Sequence, residues 1–209
     1  MIFTYKQISR TPETKHEFLV GDEVIATSTC PHYHAGILQT KDDVFSMNIE
    51  NLAGYEIEKD GLPFAYTKID LVPTKKFFGI KIGYEFYNYL SSEHEIHIFE
   101  VGLGAGHHYW YLYDEDVLVA VIHKKDEVHM YLDEYTCYLV DEKYFDATAL
   151  YCLFLESTAY YNHCLMDEPQ INDTSCYTAQ KQLREKYDPD FIPKIVKMEK
   201  EKNNNKVSG

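Results

Sequence analysis

The sequence predicts a mainly β fold, either a barrel or a sandwich, that encloses one buried helix. Up to residue 166 the chain consists of short runs rich in Val, Ile, Tyr and Phe, bounded by turn pairs such as Gly21-Asp22 and Asp60-Gly61. Residues 146–161 differ, because their centre is apolar at every helical angle and a helix there must be surrounded by protein. After Pro169 the composition turns polar, which indicates a separate tail.

The predicted strands succeed one another at close spacing and do not alternate with helices. This pattern favours an all-β barrel or sandwich over an α/β fold. Residues 117–122 are apolar at every position, which predicts a strand covered on both faces. The strands are predicted at residues 2–8, 17–20, 23–29, 44–49, 55–58, 95–101, 108–113, 117–123 and 135–140.

The buried helix has candidate capping residues and one unusual side chain. Asp146 can cap its start, and Asn162 lies near its end. Cys152 and Cys164 are most simply small core residues. Glu156 lies inside the apolar run and is expected to face the barrel mouth; if it is instead buried, it must pair with another group or have a raised pKa.

The tail is predicted to be a polar helical appendage over residues 167–209. Thr174–Lys186 can form a helix, and Pro189 and Pro193 interrupt the chain beyond it. Residues 199–209 are rich in Lys, Glu and Asn and are predicted to be disordered. The tail is a surface appendage in this interpretation, and binding of a protein partner to it is the alternative.

Composition excludes several classes of protein. The 34 Asp and Glu residues outnumber the 20 Lys and Arg residues and give a net charge of −14, which argues against binding nucleic acid or anionic membranes by bulk charge. The five cysteines form no C-x-x-C pair, and the chain starts without a secretory pattern. The longest apolar run, residues 149–155, is too short to span a bilayer. We therefore expect a cytoplasmic chain with reduced thiols and no membrane-spanning helix.

Three segments in the second half of the chain carry a resemblance to a known superfamily. They are an aspartate-rich hairpin and strand ending in two lysines (Trp110–Lys125), a strand around a tyrosine (Tyr135–Val140), and the apolar helix from Asp146. In this order they resemble the tubby-like superfamily, which includes the tubby C-terminal domain, the LURP-one-related proteins and the phospholipid scramblases. The opening residues 1–7 are similar to the first strand of its bacterial members, and the resemblance covers residues 1–166.

The resemblance implies a closed antiparallel β-barrel of about twelve strands, threaded by the hydrophobic C-terminal helix. It brings no catalytic motif and no cofactor, and it implies a non-catalytic binding or scaffold protein in a bacterial cytoplasm. Tubby binds phosphoinositides through surface basic residues, so a lipid headgroup is the implied partner. Lys124 and Lys125 are the matching residues, with Lys75-Lys76 as a second half of such a patch. No calcium loop of the D-x-[DN]-x-[DN]-G type is present in the sequence.

The alternative function is an S-adenosylmethionine-dependent methyltransferase. Its basis is a strand that runs into a Glu-x-Gly-x-Gly-x-Gly segment, with Glu100, Gly102, Gly104 and Gly106 as the cofactor residues. A helix should come after such a loop, but residues 107–113 are aromatic and strand-like. A glycine-rich hairpin between two barrel strands explains the same residues and is favoured.

Histidines could bind a metal ion in one place. Cys30-Pro-His32-Tyr-His34 would put two imidazoles on one face of a strand, as in a cupin barrel. The cupin pattern needs a glutamate shortly afterwards, and Gln39 stands there instead. Surface or loop histidines are therefore the favoured interpretation, and no metal site is predicted.

Overall fold

The structure is a computed structural model that describes residues 1–51, 54–77, 80–125, 132–160 and 177–207. Within these residues twelve strands close into one antiparallel barrel, in which every strand except the first and last pairs with its neighbours in the sequence. The predicted β fold is confirmed, and of the two predicted architectures the structure has the barrel. The strands are β1 Ile2–Ser9, β2 Thr14–Val20, β3 Glu23–Cys30, β4 Ala35–Thr40, β5 Val44–Asn51, β6 Gly54–Lys59, β7 Leu62–Phe77, β8 Ile80–Ser91, β9 Glu95–Gly102, β10 His108–Asp114, β11 Val117–Lys124 and β12 Glu134–Leu139.

The barrel closes where the first strand meets the last. Residues Ile2–Lys6 of β1 pair with Glu134–Tyr138 of β12, and the amino group of Met1 donates a hydrogen bond to the Leu139 carbonyl at 2.9 Å. Closure gives each of the twelve described strands a partner on both sides, so short strands can form a stable sheet.

Helix α1, Phe145–Ser157, fills the barrel interior. Every residue from Ala147 to Ser157 is buried, as its uniformly apolar sequence predicts. The fit is tight, since a Cβ atom added to Gly36 of β4 would lie 2.7 Å from Leu153 Cγ. The start of α1 differs from the prediction. A short 3₁₀ turn at Glu142–Tyr144, capped by Asp141, leads into α1 and places Asp146 in the first helical turn.

The β7–β8 hairpin extends beyond the barrel wall. From Ile69 onward β7 pairs only with β8, and β8 pairs with β9 only from Tyr87 onward. The result is a two-stranded arm, residues 69–77 and 80–86. Its base packs on the barrel through Phe86 and Phe99, whose ring centroids are 5.2 Å apart.

The tail covers an outer face of the barrel. Helices α2 (Lys181–Arg184) and α3 (Phe191–Val207) come after an extended stretch in which Thr178 exchanges hydrogen bonds with the backbone of Gly102. The buried side chains of this contact come from β9–β11 and from one side of α3: Val101, Tyr109, Tyr111, Val121, Phe191 and Ile195. Part of the outer barrel surface is therefore a second apolar core.

The tail differs in detail from the sequence prediction. The helix predicted at 174–186 is limited to α2 among the described residues, because residues 177–180 are extended beside β9. Pro193 does not interrupt a helix but lies in the first turn of α3, where its missing N–H has no helical partner to lose. Helix α3 continues through Val207 into the segment predicted to be disordered, because Phe191 and Ile195 anchor its first half to the barrel.

Candidate functional site

The end of the barrel interior around the last turn of α1 is polar. Alternation along β1 and β2 points Phe3, Tyr5 and Phe18 inward, and the same alternation brings Gln7 and His16 inside. Both polar side chains are fully buried. Buried polar groups need partners. Gln7 has Asp133, just before β12, and His16 has Ser28 on β3 and Glu156 on α1.

Glu156 is the centre of this polar end. The hydroxyl of Tyr135 donates a hydrogen bond to Glu156 Oε1 at 2.5 Å. The other carboxyl oxygen, Oε2, lies 3.5 Å from His16 Nε2, and the opposite ring nitrogen of His16 hydrogen-bonds Ser28 Oγ at 3.1 Å. The side chains of both His16 and Glu156 are fully shielded from solvent. The alternative that Glu156 is buried and paired is therefore the correct one.

Lys124 is buried beside Glu156 and pairs with Asp133. Its ammonium also lies over the rings of Tyr135 and Tyr160, 5.2 and 4.8 Å from their centroids. Asp133 is fixed in turn by Gln7, whose Oε1 accepts the Asp133 backbone N–H at 3.0 Å. Placing opposite charges together in this way limits the cost of burying each one.

Burial dominates the protonation of the cluster. It raises the pKa of Glu156 to about 7, although the Tyr135 hydrogen bond and the Lys124 charge oppose the shift. Burial and the Glu156 charge raise the pKa of Asp133 to about 6, against the attraction of Lys124. Burial lowers the pKa of His16 to about 3. Near neutral pH the cluster therefore holds a neutral imidazole, one ion pair and a carboxyl close to its midpoint.

Glu100, from the methyltransferase interpretation, is linked to the same polar end. Its carboxylate is 2.7 Å from Nε2 of His108, which is buried and packs against Trp110 with the ring centroids 4.3 Å apart. On its other side His108 Nδ1 lies 3.5 Å from the Tyr160 hydroxyl. Glu100 itself is half exposed and lines a cleft of about 460 Å³ beside the β7–β8 arm.

The glycine segment is a hairpin loop, as favoured from the sequence. Gly102 ends β9, and strand β10 begins at His108 where the methyltransferase motif requires a helix. Gly104 and Gly106 have φ angles of +105° and +73°, which glycine adopts without strain. The loop closes with a hydrogen bond of 2.8 Å from Leu103 N to His107 O.

The predicted basic patch is divided by the barrel wall. Lys124 is inside and 1% exposed, so it cannot form a surface site together with Lys125. Lys125 is exposed and pairs with Glu134. Lys75-Lys76 lie far along the β7–β8 arm, where the backbone register places Lys76 opposite Lys81. The lipid-binding role of Lys124 and Lys125 stays a prediction, and only Lys125 of the two has the exposure for it.

The histidine pair is not on a strand. His32 and His34 lie in the turn between β3 and β4, and the backbone N–H of His34 donates to the carbonyl of Ser157 at the end of α1, at 3.0 Å. The chain must reverse here to reach β4, which explains the positive φ of His34. Over the described ranges, no three His, Cys, Asp or Glu side chains come together in a way that could hold a metal ion.

An open groove crosses the outer face of β6, β7 and β8. It has a volume of about 530 Å³, and its floor is mostly apolar. Tyr66 lies at its centre, directly opposite Glu56 on β6 and Leu90 on β8. The groove is lined by Glu56, Ile57, Glu58, Pro63, Phe64, Ala65, Tyr66, Leu90 and Ser91.

Comparisons with protein-family models, curated proteins and solved structures find no match to this chain. The barrel and its central helix agree with the architecture that the tubby-like resemblance implies. A twelve-stranded barrel alone does not identify that superfamily, so membership stays a prediction. In the part of the chain that the structure describes, no helix is long and apolar enough to cross a membrane.

Sequence reasoning identified Glu156 as unusual but missed its partners. His16 and Gln7 obey the inward alternation set by Phe18, Phe3 and Tyr5, so parity alone could have placed them inside. Lys124 could not be placed in this way, because β11 is apolar on both faces and its alternation carries no information. The groove depends on cross-strand neighbours and has no counterpart in the linear sequence.

Proposed function

We propose that this chain is a non-catalytic binding module that presents its ligand-binding surface on the outside of the barrel. The observation that carries the proposal is the occupied interior. Helix α1 is buried from Ala147 to Ser157 inside the closed barrel. At its end Tyr135 hydrogen-bonds Glu156 and Lys124 pairs with Asp133, while Glu156 Oε2 faces His16 Nε2 at 3.5 Å without a hydrogen bond. Ligands of barrels that carry small molecules lie in the space that α1 fills here.

The polar cluster supports a structural role. A catalytic carboxyl must contact its substrate, and Glu156, His16 and Asp133 are all shielded from solvent. Their perturbed pKa values have a direct cause in burial. Functional surfaces of this chain are therefore sought among the exposed features, which are the groove, the arm and the cleft near Glu100.

Cross-linking in cells of the organism whose genome encodes the chain tests the proposal. Proteins joined to the tagged full-length chain are identified, produced separately and titrated against it by calorimetry. We expect at least one to bind saturably at one molecule per chain. The methyltransferase alternative is tested in parallel by titrating S-adenosylmethionine, for which we expect no heat of binding. Saturable uptake of that cofactor, or failure of every recovered protein to rebind, would contradict the proposal.

Peripheral lipid binding is a second candidate function, favoured by one observation on the arm. Its backbone register places Lys76 opposite Lys81, with Lys75 at the next position along β7. Three lysines are therefore close together along the backbone in a chain whose net charge is −14. Each basic residue near an anionic membrane surface contributes about 1 kcal/mol to binding.

Liposome sedimentation tests the lipid candidate. With vesicles containing phosphoinositide we expect the full chain to pellet, and the triple variant Lys75→Gln, Lys76→Gln and Lys81→Gln to stay in the supernatant. The matched control replaces three lysines elsewhere, Lys6, Lys41 and Lys194, with glutamine and should pellet like the parent chain. This candidate is wrong if the parent chain does not sediment with the vesicles, or if both triple variants lose sedimentation to the same extent.

A further inference from the structure

The groove on β6–β8 combines an apolar floor with two acidic side chains. Tyr66 is 45% exposed, although it is large and lies in the middle of a strand. Leu90 extends the apolar surface on one side, and Phe64 lies beneath, where its ring packs against Phe45 at 5.3 Å. Exposed aromatic surface that lines a depression is characteristic of a binding site.

The two carboxylates, Glu56 and Glu58, lie on the β6 side of this floor, on the same outward face of the strand. Glu58 accepts a hydrogen bond from Ser46 Oγ at 3.3 Å. Across the described residues, neither carboxylate has a Lys, Arg or His within ion-pair distance. Two lysines on the same strands pair with other carboxylates, Lys59 of β6 with Asp43 at 2.8 Å and Lys68 of β7 with Asp70 at 3.0 Å.

From this arrangement we propose that the groove binds a peptide segment in which an aromatic or aliphatic side chain is flanked by lysine or arginine. The apolar side chain would pack on Tyr66 and Leu90. The basic residues would reach Glu56 and Glu58, which supply the charge complementarity that steers a cationic partner to this site. The inference rests on the proposed function and names the surface and the class of partner for it.

The dimensions of the groove agree with a short segment. The row Glu56–Tyr66–Leu90 crosses three paired strands, and neighbouring strands lie roughly 4.8 Å apart, so the row is about 10 Å wide. One large side chain fits across that width, and two basic side chains can reach Glu56 and Glu58, which are two residues apart on β6 and therefore roughly 7 Å from each other. Apolar burial supplies most of the affinity of such a contact, and the carboxylates supply its preference for basic partners.

Fluorescence anisotropy with defined peptides tests the inference. The probe is a fluorescein-labelled peptide in which lysines flank a single tryptophan, titrated with the full chain. Two further peptides replace the lysines with glutamate or the tryptophan with serine. We expect saturable binding of the first peptide and at least tenfold weaker binding of the other two.

Variants locate the site. The double variant Glu56→Lys and Glu58→Lys should weaken the lysine–tryptophan peptide at least tenfold, and Tyr66→Ser should weaken it about tenfold. The matched control, Asp22→Lys in the β2–β3 turn and Glu23→Lys at the exposed start of β3, changes the net charge by the same amount and should bind like the parent chain.

Three outcomes would overturn the groove assignment. The first is an equal loss of peptide affinity in both double variants, which would indicate attraction by net charge alone. The second is equal affinity for the tryptophan and serine peptides. The third is the absence of saturable binding for every peptide. The proposed function is judged separately. If a cross-linked partner binds the Glu56→Lys and Glu58→Lys variant with the same affinity as the parent chain, the groove is not its binding site, but the chain is still a binding module.

Discussion

The two ends of the barrel interior hold helix α1 by different physical means. At its start, the rings of Phe3, Phe18 and Phe145 meet with centroids 5.1–6.0 Å apart, and the contact is entirely apolar. At its end, Glu156 and its neighbour Lys124 belong to a buried network of charges and hydrogen bonds. Apolar packing has little directional preference, whereas hydrogen bonds and ion pairs require a particular orientation of their groups. We therefore expect the polar end to fix the rotation and direction of a helix whose sides are apolar all round.

Removing the buried cation should have the largest effect on this comparison. Lys124→Met leaves Asp133 buried without its partner, so this carboxyl must either stay charged in the interior or take up a proton as its pKa rises further. Breaking a buried pair on one side costs about 3–5 kcal/mol of unfolding free energy. Urea unfolding monitored by the fluorescence of Trp110, the single tryptophan, measures the loss. The double variant Lys124→Met with Asp133→Asn removes both charges and should recover most of it. An equal loss in the single and double variants would show that the ion pair is not the cause.

Truncating the apolar side of the helix should cost slightly less and should be insensitive to pH. Leu150→Ala leaves a cavity in the middle of α1 and should lower the unfolding free energy by about 2–5 kcal/mol. No titrating group is removed, so the loss should be the same at pH 5 and pH 8. A loss that differed between the two pH values by more than the error of the urea measurement would mean that the two ends are coupled.

The pH dependence of stability distinguishes the polar end of the interior from the apolar end most directly. Glu156 keeps its proton in the folded chain up to about pH 7, whereas the unfolded carboxyl releases it near 4.5, so its contribution to stability is lost as the pH rises between these values. Glu156→Gln removes this contribution. Between pH 4.5 and pH 8 the stability of the parent chain should therefore fall by about 3 kcal/mol relative to the variant.

The comparison between parent and variant cancels the titrating groups that do not interact with Glu156, whereas Asp133 loses the influence of the Glu156 charge in the variant. Asp133 acts in the same direction as Glu156, because its pKa is also raised, to about 6. His16 acts in the opposite direction, since its pKa falls to about 3 and the unfolded chain binds its proton more readily. Parallel stability curves for parent chain and variant over this range would contradict a buried, protonated Glu156.

The sequence predicted which residues form strands and helix better than it predicted which of these elements contact one another. Runs of Val, Ile, Tyr and Phe located strands such as β1, β10 and β12, and the uniformly apolar run located α1. Strand β4 was missed because it begins at Ala35-Gly36, directly after a turn that resembled a metal motif. The arm was not assigned, because β7 and β8 extend past their barrel neighbours and alternate less regularly than a strand with one buried face.

Site residues were harder to predict because their roles depend on which side of the barrel wall they face. Lys124 and Lys125 are adjacent in sequence, yet one is buried with Asp133 and the other is exposed beside Glu134. Glu100 was selected from a glycine motif and is instead a partner of the buried His108. In each case the residue was identified as notable and its partner is only eight or nine residues away, so the missing information was the register of neighbouring strands and the face of the wall.

The position of α1 in the chain has a consequence for how the protein is made. The helix that the strands enclose comes after all of them, and the partner of β1 is the last strand, β12. At synthesis rates of roughly 5–20 residues per second, the first strand leaves the ribosome roughly 7–30 s before the helix that completes its core. We therefore expect the barrel to close around α1 and not before it is made, because the wall packs tightly on the helix, as at Gly36 and Leu153.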